Sequence, residues 1–158
     1  MKKPLVINLI GAPGAGKSTI SSRMFSDMKT DGLDVEIAPE YAKELVWEGR
    51  TETFKDELYL FAKQNHRMFR LNGKTDYIIT DGDKNEAFKN IVLHEAAKYN
   101  NKYIFLDRTK PYKTSGRNET EEQSNAFSLK IKDMLIDLRI PFEVRSSTDT
   151  IDYKDFIS

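Results

Sequence analysis

No cysteine occurs anywhere in the 158 residues. Disulfides, thiolate metal centres and cysteine nucleophiles are therefore excluded. Net charge is lacking too, because 25 Lys and Arg balance 25 Asp and Glu. Such a chain has no global attraction to nucleic acid or to an anionic membrane, and only a local basic patch is left open. No stretch approaches the ~20 apolar residues that span a bilayer. The apolar stretch between Pro4 and Gly11 is too short and wrongly finished for a signal peptide, so a cytoplasmic protein is expected. Repeats, low-complexity tracts and Gly/Ser/Pro-rich linkers are also missing, and one domain over residues 1–158 is expected. The two histidines, His66 and His94, have no ligand spacing to another His or Cys.

What is present suits a soluble globular α/β domain: 39% apolar and 32% charged residues. "LVINLI" (Leu5–Ile10) reads as a strand buried on both faces. Lys17–Lys29 reads as a helix with Ile20, Met24, Phe25 and Met28 on one side. Further strands are expected at Asp34–Ala38, Asp76–Thr80, Lys102–Leu106 and Pro141–Arg145. Helices are expected at Glu40–Gly49, Thr53–Leu71, Asn85–Tyr99 and Glu119–Leu138, with a short tail after the last strand. Strands alternate with helices throughout, which argues a parallel sheet covered on both faces.

Gly11-Ala12-Pro13-Gly14-Ala15-Gly16-Lys17-Ser18 fits G-x-x-x-x-G-K-[ST] with no mismatch. It lies between a strand and a helix, the context the motif requires. The glycines let backbone N–H groups turn inward onto phosphate oxygens. The helix that follows, starting with Lys17, Ser18 and Thr19, points its positive end at them. Lys17 is expected on the β- and γ-phosphates of ATP, and Ser18 on Mg²⁺.

Carboxylates follow two of the strands. Asp81, just past "YIIT", is the expected metal-site carboxylate, with Asp83 second. Glu40, directly after the second strand, is placed to accept a proton from an attacking hydroxyl or to favour a helix N-terminus. A basic segment, "DRTKPYKTSGR", follows the fourth strand. Its Arg108, Lys110, Lys113 and Arg117 suit a cationic flap over a triphosphate. Gln64, Asn65 and Arg67 are candidates to face an acceptor, and Trp47 is expected in the core.

"GAPGAGKST", "PEYAKELV", "ITDGD" and "FLDRTKPYKTSGR" together resemble the nicotinamide riboside kinase-like branch of P-loop kinases. The likeness runs from about Leu5 to Arg145. Ser115 stands where that branch has Asp in its flap. The flap looks most like that of small phage-encoded members, some of which are 5-hydroxymethyluridine DNA kinases. The resemblance implies a P-loop NTPase three-layer sandwich, with a five-stranded parallel sheet of order 2-3-1-4-5 and a short basic lid at about 107–118. It implies Asp81 near Mg²⁺, Glu40 or Asp83 near the acceptor hydroxyl, and Arg108 and Arg117 on phosphates. The acceptor it implies is nucleoside-like: a modified base within DNA, a free nucleoside or nucleotide, or nicotinamide riboside. A ring-type motor would need a further helical subdomain, and a GTPase would need a late N-K-x-D segment. Asn101-Lys102-Tyr103-Ile104 lacks that Asp. A regulatory nucleotide-binding module is the expectation from another class.

Overall fold

The computed structural model of the chain describes residues 3–81, 94, 96–113 and 119–157. The apolar run Leu5–Ile10 forms the central strand, β1. It pairs in parallel with β3 (Tyr77–Thr80) on one side and with β4 (Asn100–Asp107) on the other. Strand β2 (Val35–Ala38) lies outside β3, and β5 (Glu143–Ser146) outside β4. The order is therefore β2-β3-β1-β4-β5, all parallel, as expected.

Alternation along β1 separates the two faces. Ile7 and Leu9, with Ile79, Ile104 and Leu106, pack on Ile20, Met24 and Met28 of α1 (Lys17–Thr30). On the opposite face, Val6 and Ile78 meet Met68 and Leu71 of α3 (Glu57–Leu71). Ile10 and Phe105 meet Ile131 and Leu135 of α4 (Glu121–Asp137) on that face. Each such aliphatic side chain contributes about 1.5–3 kcal/mol by leaving water. A short helix, α2 (Tyr41–Trp47), follows β2 directly. Parallel pairing carries every strand's carboxyl end to one edge, so the segments after β1, β2, β3 and β4 converge there. Among the described residues, no helix is long and apolar enough to cross a membrane.

Several local expectations change. The expected helix over Thr53–Leu71 divides: Thr51–Lys55 forms a 3-10 turn, and Asp56 then caps α3 by accepting from the Tyr59 N–H. The helix expected from Glu119 starts instead at Glu121, behind a capping box in which Thr120 Oγ1 accepts from Gln123 N and Gln123 Oε1 accepts from Thr120 N. Trp47 is 74% exposed rather than in the core, because it occupies the last, outward position of α2, and Leu45 takes the buried one. Most of the expected helix at Asn85–Tyr99 lies outside the described residues.

The tail does more than end the chain. Ile151, Tyr153 and Phe156 are buried in the cluster against α1, and Lys154–Ile157 forms a last helix, α5. Tyr153 donates its hydroxyl to Asp31, at the end of α1, and Lys154 Nζ lies 3.2 Å from the same carboxylate. The Tyr153 hydroxyl, then the Lys154 ammonium, hold the Asp31 carboxyl below its ordinary value. A lowered carboxyl stabilises the fold above its unfolded value and stops doing so as pH falls through the folded one. Asp31→Asn is therefore expected to unfold at lower temperature than the natural chain at pH 7. The gap should start to narrow as pH falls below the ordinary aspartate value of about 4 and close only below the lowered folded value, where the natural carboxylate is protonated too. Thermal melts at the two pH values check this.

Candidate active site

Gly14 and Gly16 adopt φ of 85° and 87°, left-handed conformations that glycine enters at no Cβ cost. Gly11 has a different constraint. A Cβ there would lie 2.8 Å from the Leu106 carbonyl oxygen and 3.0 Å from Ala15 Cβ. The loop is thus pressed against the end of β4. Gly16 is the N-cap of α1, which has neither a side-chain cap nor an acidic residue in its first turn. The helix's first amides therefore face the loop without a competing side-chain acceptor of that kind. Lys17 is only 8% exposed, and its Nζ reaches back to the Gly11 carbonyl at 2.5 Å and the Ala12 carbonyl at 3.4 Å. Ser18 and Thr19 stand exposed on the next positions of α1. A wall that admits no Cβ, an uncapped helix N-terminus and a buried lysine over the loop fit a polyphosphate.

The carboxylate after β3 meets this loop. Ser18 donates its hydroxyl to Asp81 Oδ2 at 3.1 Å. Asp81 Oδ1 accepts from the Glu40 backbone N–H, also at 3.1 Å. Asp81 is 7% exposed, so it is a buried carboxylate with a hydrogen bond on each oxygen. One hydroxyl and one carboxylate side by side are hard oxygen donors of the kind Mg²⁺ takes beside phosphates. Glu40 is the half-buried N-cap residue of α2. Asp83 lies outside the described residues.

The acceptor candidates on α3 have a different use. Gln64 Oε1 accepts from the Tyr41 N–H at 2.9 Å, capping α2 in place of a local side chain. Arg67 donates to the Pro39 carbonyl at 2.9 Å and to Glu44 Oε2 at 2.6 Å, with its guanidinium 5.0 Å from the Tyr41 ring centre. These bonds pin the turn that carries Glu40. Tyr41 and Tyr59 share a hydroxyl–hydroxyl bond of 3.1 Å, which raises the Tyr41 phenol and lowers the Tyr59 phenol. Lys63 and Arg50 lower Tyr59 further.

The flap is described as far as Lys113, which is exposed, and Arg117 lies outside the described residues. Arg108 turns to α4: it donates to Glu121 Oε1 at 2.9 Å and to Asn125 Oδ1 at 2.6 Å, with its guanidinium over the Tyr112 ring. Its side chain is 12% exposed, and its Nε is buried with no hydrogen-bond partner. It borders a cavity of about 270 Å³ beside Ala12, Ala15, Ser124 and Ser128, on the flank of the phosphate loop.

Sequence reasoning did not find three contacts here. Ser124 Oγ donates to the Pro13 carbonyl at 2.8 Å, tying α4 to the loop. Ser147, after β5, donates nothing to the loop but packs on it, 3.5 Å from where a Gly16 Cβ would stand, and accepts from Thr109 N. Lys43, in the first turn of α2, donates to Ser18 Oγ at 3.3 Å. Its spacing of three from Glu40 was the available signal, because such residues share a helix face.

No protein-family model matches this chain, and no curated protein matches it. Solved structures do. The shikimate kinase of Acinetobacter baumannii, in complex with shikimate, is 17% identical; the match covers 98% of this chain and 89% of that one, with a TM-score of 0.55. The shikimate kinase of Aquifex aeolicus is 15% identical over 92% of this chain and 87% of that one, with a TM-score of 0.52. The APS kinase of Mycobacterium tuberculosis is 12% identical over 85% of this chain and 99% of that one, with a TM-score of 0.52. Identities this low speak for architecture alone. The chain has the α/β sandwich fold of small P-loop kinases, with its five parallel strands in the order 2-3-1-4-5.

Proposed function

We propose that this protein is an ATP-dependent phosphotransferase that moves the γ-phosphoryl group to a hydroxyl of a nucleoside-like acceptor. The observation that carries the reading is the Ser18–Asp81–Glu40 chain of contacts at the mouth of an intact phosphate loop. It ties the Ser18 hydroxyl and the Glu40 backbone N–H to the two oxygens of one buried side chain. Ser18 and Asp81 would hold Mg²⁺, which would balance charge on the β- and γ-phosphate oxygens. Lys17 and the loop amides would grip those oxygens. Glu40 or Asp83 would take the proton as the acceptor oxygen bonds to phosphorus and the bond to the bridging oxygen breaks, leaving ADP. Arg108, Lys113 and Arg117 would supply positive charge from the flap, Arg108 after leaving Glu121 and Asn125.

The resemblance in the flap favours the 5-hydroxymethyl group of 5-hydroxymethyluracil in DNA as acceptor. The balanced net charge directs any DNA contact to local groups rather than a broad basic face. The test is transfer from γ-labelled ATP to a panel: 5-hydroxymethyluracil DNA, free deoxynucleosides and nicotinamide riboside. Label is expected on one class of hydroxyl. Should no acceptor raise ADP release above the rate in water alone, the protein is a regulatory nucleotide-binding module instead.

A further inference from the structure

Lys43 holds an unusual position between two groups. Its ammonium donates to Ser18 Oγ at 3.3 Å and lies 5.5 Å from the Trp47 ring centre. The Ser18 hydroxyl in turn donates to Asp81 Oδ2. One lysine cation therefore stands on the same hydroxyl, beside the same carboxylate, that the phosphotransferase reading assigns to Mg²⁺. Two cations crowded on one oxygen repel, and the repulsion is strongest beside a buried carboxylate, where water screens least. The lysine is the one that can leave: it is exposed, on a flexible four-carbon stem, and rooted in the first turn of α2.

We infer that Lys43 is a resident cation of the metal seat that yields when Mg²⁺ and nucleotide bind, so that filling the donor site repositions a positive charge on the acceptor helix. This rests on the phosphotransferase reading and adds a residue to it. While Lys43 is in place, Ser18 and Asp81 stay oriented toward each other. When a metal takes the Ser18 oxygen, the ammonium has to move off Ser18, and its stacking on Trp47 changes with it. The coupling is reciprocal: whatever Lys43 does to metal affinity, the metal does to Lys43.

Trp47 is the chain's sole tryptophan, so it reports the movement without any turnover. The experiment uses the whole protein, a non-hydrolysable ATP analogue, and MgCl₂ added or withheld. Binding is followed by calorimetry and by Trp47 emission. In the natural chain, emission is expected to change only when Mg²⁺ and the analogue are both present. Lys43→Met is expected to bind Mg²⁺ with the analogue more tightly, on the order of tenfold, and to show no emission change on binding. Lys43→Arg should restore the weaker metal affinity. Unchanged or weaker metal affinity in Lys43→Met, or an emission change that persists in it, overturns the inference and leaves the phosphotransferase reading standing. If the natural chain binds neither Mg²⁺ nor the analogue, both fall together.

Discussion

Lys17→Ala is expected to lose tight ATP binding and to cut phosphoryl transfer by about 10³-fold or more, the upper range for removing one preorganised charge partner in a closed site. The lysine's burial is the reason. An ammonium 8% exposed, held over the loop by the Gly11 and Ala12 carbonyls, meets a phosphate with little intervening water. Its charge therefore acts at low effective dielectric. No other described side chain in the first turn of α1 carries a positive charge. The variant also deprives two loop carbonyls of a donor, and thermal melts must accompany the assay to separate lost chemistry from a loosened loop. Lys17→Arg keeps the charge but brings a planar fork into a space shaped for a compact ammonium, and partial binding with poor transfer is expected. Turnover equal to the natural chain in a folded Lys17→Ala protein rejects the phosphate-loop assignment.

The loop after β1 and the elements that flank it were legible in the sequence, and the contacts that join α2, α3 and α4 were not, for a physical reason. A phosphate loop is a local structure. Its glycine spacing, the β-branched run before it and the helix after it all lie within Leu5–Thr30, and short-range backbone preference decides them. The strand order followed from family resemblance, and the parallel pairing followed from the alternation of elements. Contacts between elements carry no such local mark. Arg67 grips the Pro39 carbonyl 28 positions away. Gln64 caps a helix 23 positions upstream, so two residues that looked free to face an acceptor instead brace the turn before α2. Arg108 was expected on phosphates from the basic segment and the family resemblance, and its contacts to Glu121 and Asn125 carried no mark in the sequence. The tail was missed because Ile151, Tyr153 and Phe156 span too few residues to show a period, although all three are buried.

Asp81→Ala should be the second most damaging substitution, because a single buried side chain joins Ser18 to the Glu40 backbone. Its Oδ2 accepts from Ser18, and its Oδ1 accepts from the backbone of Glu40. Removing it leaves the Glu40 N–H without that acceptor and Ser18 without its carboxylate. The expected loss in transfer is about 10²–10³-fold, with Mg²⁺ needed at higher concentration for half-maximal rate. Asp81→Asn separates the two duties. Its amide oxygen can still accept from Glu40, so α2 stays placed and the melting temperature should stay near that of the natural chain. It carries no negative charge, so the Mg²⁺ requirement should rise as it does for Ala. If Asn matches Asp in its Mg²⁺ dependence and rate, the charge is dispensable and Asp81 is only a brace between β3 and α2. If Asn and Ala share the Mg²⁺ defect while Asn alone keeps acceptor KM, the carboxylate holds metal with one oxygen's worth of charge and positions Glu40 with the other.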